Sequence, residues 1–227
     1  EVKPYRDGAE DRPPESGYDL HLSIDHNVQA LAESLFVGKR GAAVAVDPSN
    51  GEILSMVSSP DYRPDLFTRS VQEQAWDSLR SHPSKPLFNR ATMSGKPPGS
   101  TWKPFMSLVA MQEGIIGPET KVDCPAGYRF GRRTFRNHNN EDHGKIDVQK
   151  ALEVSCNTFY YQLMMEMDVN TWHDWAKKFG FGQRVPIDIG DQRPGLIPDS
   201  SYFNRVYGTG RWTAATSPWP SSRRRRR

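Results

Sequence analysis

The stretch PPGSTWKP at residues 97–104 is the part of the sequence that decides the fold. Pro98 and Gly99 interrupt the preceding chain, and Pro104 falls in a first helical turn, where a missing N–H costs little. A helix is therefore predicted from Ser100 onward. Its buried face is expected to consist of Phe105, Leu108, Val109 and Met111.

Ser100 and Lys103 lie three residues apart, a spacing that places both side chains on one face of a helix. A serine hydroxyl is a weak nucleophile until a base takes its proton. A lysine amine acts as that base when burial or a neighbouring charge lowers its pKa. The pair is a candidate nucleophile and base, although a capping serine beside a surface lysine explains the same spacing.

Bulk composition excludes several classes of protein. With 227 residues, 36% of them hydrophobic, and a mean hydropathy of −0.73, the chain can bury one sizeable core. Its longest apolar stretches fall far short of the roughly 20 residues that a membrane helix needs. The formal net charge is +3, but the five arginines at residues 223–227 contribute more than this, so the other residues are negative in sum. The body of the chain therefore lacks the excess of positive charge that nucleic-acid binding requires.

The first part of the chain predicts small elements. Alternating apolar residues predict a strand at residues 20–24, and Asp25 is expected to cap a helix at residues 28–35. Apolar runs at residues 42–46 and 53–57 flank an Asn-Gly turn. Because Asn-Gly supplies the backbone conformation of a tight turn, these runs predict a β-hairpin.

The rest of the chain predicts a loop and two further helices. Residues 60–98 are polar and rich in turn formers, which predicts a long excursion over the surface. Apolar spacing predicts one helix over residues 148–167 and another over residues 172–179, which Gly180 ends. The triplet Ser-Cys-Asn at residues 155–157 falls inside the first of these helices.

The segment that contains the candidate nucleophile resembles a known signature. Residues 86–90 (PLFNR), followed by residues 97–104, are similar to the sequence around the active serine of class B penicillin-binding proteins. The runs at 41–48 and 51–60 resemble the paired first strands of that family's catalytic domain, and the similarity extends over residues 17–212. Several further segments look more like the elongation-specific penicillin-binding protein 2 than its septal homologue, namely residues 135–138, 143–144, 179–182 and 187–188.

This resemblance implies an α+β fold, the penicillin-binding and serine β-lactamase-like transpeptidase domain, in which helices flank an antiparallel sheet. It divides the chain into a linker or the edge of an N-terminal pedestal domain at residues 1–17, a transpeptidase domain at residues 18–212 and an aberrant Arg-rich tail at residues 213–227. The family's third motif, Lys-Thr-Gly or Lys-Ser-Gly, does not occur in the sequence, and Tyr-Gly-Thr-Gly at residues 207–210 lacks the cation. We therefore expect the domain to be incomplete at its C-terminus, without its last strands.

The resemblance also implies a role for each candidate catalytic residue. Ser100 would be the acylated nucleophile and Lys103 its base. Ser155 would relay or hold the proton of the lysine, and Asn157 would hydrogen-bond the substrate backbone. A buried serine and asparagine that satisfy neighbouring helix groups would give the same triplet.

The activity implied is that of a peptidoglycan D,D-transpeptidase, which cleaves the D-Ala-D-Ala bond of a stem peptide through a serine acyl-enzyme. The resemblance further implies binding of β-lactam antibiotics, serine-type D-Ala-D-Ala carboxypeptidase activity and no cofactor for catalysis. The expected partner is a membrane glycosyltransferase of the elongation machinery. Binding of nucleic acid is not expected. The expected location is the bacterial cytoplasmic membrane, with the catalytic domain facing the periplasm or the outside and the membrane anchor absent from this chain.

Two alternatives stay open on the sequence. The same fold family includes β-lactamases and β-lactam sensors, although the linker-like start and the extra segment at residues 114–150 favour a penicillin-binding protein. The missing third motif also allows a catalytically inert truncated fragment.

Cys124 and Cys156 permit one disulfide, two free thiols or a share in a metal site. With His138 and His143 they make a mixed ligand set that suits tetrahedral zinc, although the spacing is looser than in a zinc finger. The resemblance implies a structural zinc in some relatives at positions matching Cys124, Asn137, His143 and Cys156, where position 137 holds Asp or Cys. Because a neutral asparagine is a poor zinc ligand, we expect His138 to take the fourth place or the site to be weakened.

Overall fold

The computed structural model describes residues 16–67 and 73–208, which form two compact units that meet in sequence at Thr92 and Met93. Most of the predicted linker at residues 1–17 and all of the predicted tail at residues 213–227 lie outside the described residues. Within the described ranges, no helix is long and apolar enough to cross a membrane.

The first unit combines short helices with a hairpin. Its elements are α1 (His26–Phe36), β1 (Gly41–Val46), β2 (Ile53–Ser59), a 3₁₀ turn (Pro64–Phe67), α2 (Glu73–Ser81) and α3 (Arg90–Met93). As predicted, Asp25 caps α1 by accepting hydrogen bonds from the backbone N–H groups of Asn27 and Val28. Strands β1 and β2 pair antiparallel, and Gly51 makes their turn with a φ of 83°, which glycine adopts without strain.

Two predictions for this unit are wrong. Residues 20–24 form no strand within the described part of the chain, and Leu20 is 82% exposed, because alternation by itself supplies no pairing partner. The predicted surface excursion at residues 60–98 contains the 3₁₀ turn, α2 and α3. Helix α2 has only three apolar residues in nine, so it shows no clear apolar stripe in the sequence.

The second unit is richer in helix and carries two small antiparallel sheets. Its elements are a 3₁₀ turn (Gly99–Trp102), α4 (Lys103–Gln112), β3 (Val122–Cys124), β4 (Gly127–Phe130), β5 (Arg133–Arg136), a second 3₁₀ turn (His138–Asn140), β6 (Gly144–Ile146), α5 (Val148–Glu153), α6 (Asn157–Glu166), α7 (Val169–Lys178) and α8 (Ser200–Tyr207). Strand β3 pairs with β6 and β4 with β5. This mixture of helices and antiparallel strands confirms the predicted α+β class.

The core of the second unit lies around α4 and α6. Val109 and Ala110 of α4 and Phe159 of α6 are almost completely buried, and the two cysteines are buried with them. Leu108 is 47% exposed, which corrects its predicted place on the buried face of α4. Leu108 lies on the opposite side of α4 from Met106, Val109 and Ala110, which define the inward face at positions i, i+3 and i+4.

The helix predicted over residues 148–167 is broken into α5 and α6. Ser155 stands between them with a φ of 51°, in the left-handed region, and Cys156 caps α6 by accepting a hydrogen bond from the N–H of Phe159. The apolar spacing continues through the break because both helices bury residues in the same core. The Ser-Cys-Asn triplet therefore occupies a turn and a helix start instead of a helix interior.

Candidate active site

Ser100, Ser155 and Lys103 form a continuous line of hydrogen bonds. The Ser155 hydroxyl donates to Ser100 Oγ over 3.1 Å, and Lys103 Nζ donates to Ser155 Oγ over 2.9 Å. Because hydroxyl hydrogens rotate, both bonds reverse direction once the amine is neutral. The line can therefore carry a proton from the first serine to the lysine.

Lys103 is nearly buried, with 7% of its surface exposed. Its Nζ donates to the carbonyl oxygen of Ser155 at 2.6 Å, to Ser155 Oγ, and to Asn157 Oδ1 at 2.8 Å. These three acceptors are neutral, so they only partly replace the water that the ammonium group has lost. Burial lowers the pKa of Lys103 below its ordinary value of 10.5, which increases the fraction of amine that can accept a proton.

Ser100 is exposed at the surface of the 3₁₀ turn that precedes α4. Between it and Lys103, Trp102 packs its ring against Phe105, Trp172 and Phe181, with centroid distances of 4.9, 5.9 and 4.5 Å. This aromatic cluster holds the turn in place. It lets the nucleophile face solvent while the base faces the interior.

Ser155 owes its position to its left-handed backbone, which costs a non-glycine residue about 1–2 kcal/mol. Ser155 adopts this conformation just after α5 ends, and the N–H of the next residue, Cys156, donates back to Ala151 O in that helix at 2.9 Å. It directs both the carbonyl and the hydroxyl of Ser155 toward Lys103. Strained backbone of this kind concentrates at functional sites, where the surrounding structure holds it.

Asn157 is the first residue of α6 and faces Lys103 from the other side. Its Oδ1 accepts from Lys103 Nζ, and its Nδ2 donates to the carbonyl oxygen of Arg136 at 3.2 Å. Both ends of the amide are therefore fixed. The four predicted catalytic residues, Ser100, Lys103, Ser155 and Asn157, lie together in the second unit.

Residues 41–218 match the family described as the penicillin binding protein transpeptidase domain. The chain belongs to this family. Peptidoglycan D,D-transpeptidase MrdA of Acinetobacter baumannii is 36% identical over 197 residues, which cover 86% of this chain and 29% of that relative. MrdA of Escherichia coli K12 is 32% identical over 218 residues, covering 89% of this chain and 34% of that protein.

Solved structures support the same assignment. PBP2 of Pseudomonas aeruginosa in complex with WCK 5153 has a TM-score of 0.76 at 35% identity, covering 81% of this chain and 42% of that one. PBP2 of Helicobacter pylori in complex with MreC has a TM-score of 0.76 at 27% identity, covering 81% of this chain and 35% of the other. The resemblance to penicillin-binding protein 2 and the expected fold are thus confirmed. The chain spans about a third of the length of the curated relatives it matches.

Behind Lys103 lies a buried polar pair that no motif or spacing in the sequence indicates. Ser107 Oγ and the Tyr160 hydroxyl share a hydrogen bond of 2.8 Å, and Ser107 Oγ also donates to Lys103 O at 3.0 Å. Lys103 Nζ lies 5.4 Å from the centre of the Tyr160 ring. The aromatic face stabilises the ammonium form without adding a charge.

The predicted metal ligands are only partly brought together. Cys124 and Cys156 are free, buried and within hydrogen-bonding reach of each other, whereas the side chain of His138 is exposed. Across residues 16–67 and 73–208, no group of three or more His, Cys, Asp or Glu side chains could hold a metal ion. The expected set of Cys124, His138, His143 and Cys156 is therefore not assembled.

The side chain beside the two thiols explains why the residues do not fit zinc. Asn137 is 5% exposed, and its Oδ1 already accepts from two backbone N–H groups. Burial raises the pKa of Cys124 to about 12, so this thiol stays protonated at neutral pH. Because a thiol that binds zinc loses its proton, this pKa describes the metal-free protein, and the poor fit to zinc rests on the neutral Asn137 amide, whose oxygen is already bonded.

Proposed function

We propose that this chain carries the serine-acylating centre of a peptidoglycan D,D-transpeptidase. The observation that carries the proposal is the hydrogen-bonded line from Ser100 through Ser155 to Lys103. It supplies an exposed nucleophile, a relay and a nearly buried amine, which is what activation of a serine requires. Ser100, Lys103, Ser155 and Asn157 are the residues to which we assign the chemistry.

The proposed first step is acylation of Ser100. Ser100 Oγ attacks the carbonyl carbon of the D-Ala-D-Ala peptide bond of a stem peptide. As it does so, its proton passes to Ser155 Oγ, and the proton of Ser155 passes to the neutral amine of Lys103. The C–N bond to the terminal D-Ala then breaks, and the departing amine takes the proton back from the lysine by the same route.

The second step transfers the acyl group. An amine from a neighbouring peptidoglycan strand attacks the ester, gives up its proton along the same line and releases Ser100. Attack by water instead gives the carboxypeptidase reaction. A β-lactam acylates Ser100 in place of the peptide, and its ring nitrogen remains attached to the acyl group after the amide bond opens.

Asn157 is proposed to hold both the amine and the substrate. Its Oδ1 accepts from the ammonium form of Lys103, and its amide lies at the start of α6 beside Arg136 O. A neutral amine keeps two N–H groups, which serve Ser155 O and Asn157 Oδ1, so the amide stays held and a substrate backbone carbonyl would take the place of Arg136 O at Nδ2.

The cellular setting is part of the proposal and rests on the family. We place the protein at the bacterial cytoplasmic membrane, with this domain facing the periplasm or the outside and a membrane glycosyltransferase of the elongation machinery as its partner. The Helicobacter pylori relative is known in complex with MreC, which supports a role within an assembly. The division at residues 17/18 and 212/213 is likewise a proposal.

A fluorescent penicillin tests the proposed function directly. A covalent label on Ser100 that is lost slowly supports the transpeptidase. Rapid loss of the label would indicate a β-lactamase, which the matched transpeptidase family does not favour. Absence of any label would indicate the inert alternative, consistent with a sequence that contains no Lys-Thr-Gly or Lys-Ser-Gly triplet.

A further inference from the structure

We propose that Asn137 is a positioning residue whose side-chain amide fixes the start of α6 and thereby the amide of Asn157 and the amine of Lys103. The proposal rests on the function proposed above. Asn137 lies at the end of β5, 20 residues before Asn157, and is 5% exposed. It contacts neither Ser100 nor Lys103 directly in the hydrogen bonds of the site.

The oxygen of the Asn137 side chain binds the first turn of α6. Oδ1 accepts from the backbone N–H of Asn157 at 2.9 Å and from that of Thr158 at 3.0 Å, and the Cys156 thiol lies 3.6 Å away. The first N–H groups of a helix have no partner within the helix. Asn137 therefore acts as a cap supplied from a different part of the chain.

The nitrogen of the same side chain binds the loops around it. Nδ2 donates to Glu141 O at 2.9 Å, to Pro125 O at 3.2 Å and to Thr158 Oγ1 at 3.2 Å. Thr158 Oγ1 itself donates to Pro125 O at 3.0 Å. The amide thus ties the start of α6 to the chain on both sides of the β4–β5 hairpin.

This environment requires an amide. Asn137 Oδ1 meets two backbone N–H donors and the Cys156 thiol, whereas Nδ2 faces two carbonyl oxygens, so the positions of Oδ1 and Nδ2 are fixed. A carboxylate here would place a charged oxygen against those carbonyl groups. A metal ion would compete for an oxygen that two N–H groups already use. The amide therefore has a structural role at a position that the resemblance assigns to a metal ligand in some relatives.

The connection to the site is short. Asn157, whose N–H binds Asn137 Oδ1, also accepts from Lys103 Nζ through its own Oδ1. Its Nδ2 donates to the carbonyl oxygen of Arg136, the residue next to Asn137. A shift of Asn137 therefore moves the backbone of Asn157 and the Arg136 carbonyl that holds its Nδ2. Because a displacement of about 1 Å can reduce a rate by roughly 100-fold, the amide is expected to control acylation.

The test uses the whole chain with three substitutions. Asn137→Ala removes the amide, Asn137→Asp keeps its shape and its acceptor oxygen but loses the donor, and Asn140→Asp makes the same change at an exposed position in the adjacent 3₁₀ turn. Amide hydrogen exchange is measured at Asn157 and Thr158. Acylation by a fluorescent penicillin is measured below the melting temperature of each protein, as a rate constant at saturation and a half-saturating concentration.

For Asn137→Ala we expect exchange at both amides to accelerate about tenfold or more and the rate constant for acylation to fall by a similar factor. The half-saturating concentration should change by less than about threefold, and Asn140→Asp should behave as the parent protein. A purely structural role would lower the melting temperature but leave the rate constant of the folded protein unchanged. That result, or parental exchange at both amides, would overturn the proposal.

Asn137→Asp decides the matter if the alanine variant does not fold. The assay includes a chelator, because the resemblance implies that Asp at this position holds zinc in some relatives. The acylation rate of this variant relative to the parent should then rise as the pH is lowered, because a protonated carboxyl group regains one donor. A ratio that does not change with pH would contradict the proposal. If the parent protein takes no label, the proposed function fails, and the exchange rates at Asn157 and Thr158 by themselves support or overturn the role of Asn137.

Discussion

The Ser155 hydroxyl donates a hydrogen bond to the Ser100 hydroxyl over 3.1 Å, and the two serines are 55 residues apart in sequence. One lies in a 3₁₀ turn and the other in the break between two helices, so neither element by itself contains the site. The packing of α4 against α5 and α6 brings them together. The chemistry of the site therefore depends on tertiary structure as well as on the S-x-x-K spacing.

The first prediction concerns the nucleophile. Ser100→Ala should abolish covalent labelling by a fluorescent penicillin, because Ser100 is the exposed hydroxyl to which Ser155 is hydrogen-bonded. Thr101→Ser is the matched control, since it keeps a hydroxyl at the neighbouring position, and it should label as the parent does. Mass spectrometry of the labelled peptide checks the site. An adduct on any residue other than Ser100 would refute the assignment.

The second prediction concerns the pH dependence of acylation. Burial lowers the pKa of Lys103, and only the neutral amine accepts the proton, so the acylation rate should rise with pH and level off at a value below 10.5. Lys103→Arg stays charged and should lose the pH-dependent rise together with most of the activity. A rate that rises only above pH 10.5, or a fully active arginine variant, would exclude Lys103 as the base.

The same shift has a consequence for stability, with a definite sign. Between the lowered pKa of Lys103 and 10.5, the unfolded chain binds more protons at this lysine than the folded chain does. The contribution of Lys103 to the free energy of unfolding therefore rises with pH across this interval. Urea titrations of the parent and of Lys103→Met at several pH values isolate this contribution.

Local signals were sufficient for several elements. The Asp25 cap, the Asn-Gly hairpin and the helix ending before Gly180 follow from residues that act on their immediate neighbours. The spacing of Ser100 and Lys103 was found in the same way, and the resemblance supplied the roles of the Ser-Cys-Asn triplet at residues 155–157. These features are predictable because their physical causes lie within a few residues in sequence.

Nonlocal features were not predictable. The left-handed Ser155 lies in an apolar pattern that continues unbroken through it, so no periodicity marks the end of α5. The contacts of Asn137 join segments about 20 residues apart, and the pairing of Ser107 with Tyr160 spans 53. The expected zinc ligands are not grouped within residues 16–67 and 73–208, and the sequence does not show how the Asn137 amide beside them is bonded.

The third prediction concerns the buried pair beneath Lys103. Ser107→Ala leaves the Tyr160 hydroxyl without its partner and should cost about 1–3 kcal/mol, whereas Tyr160→Phe should cost about 1 kcal/mol. Because the two hydroxyls bind each other, the double variant should be less destabilised than the sum of the single variants. Thermal or urea unfolding of the parent, the two single variants and the double variant gives the four free energies of the double-mutant cycle. Strict additivity would show that the two groups do not interact.

The fourth prediction concerns the two cysteines. Both side chains are 0% exposed, and the pKa of Cys124 is raised to about 12, so the folded protein should not react with Ellman's reagent at pH 8. Two thiols should react in guanidinium chloride, since both cysteines are free. A chelator should change neither result. Thiols that become reactive when a chelator is added would instead support the zinc site.

The last prediction separates the backbone of Ser155 from its hydroxyl. Ser155 has a φ of 51°, which glycine adopts freely and alanine does not, so Ser155→Gly should be more stable than Ser155→Ala by about 1 kcal/mol. Both variants lack the hydroxyl that joins Ser100 to Lys103, and both should acylate at least about 100-fold more slowly than the parent. Stability is measured by thermal unfolding and acylation by the fluorescent penicillin under matched conditions. If the glycine variant acylates at the parental rate, the proton does not travel through Ser155. If the two variants differ in rate as well as in stability, the geometry of the turn contributes to catalysis beyond the hydroxyl it presents.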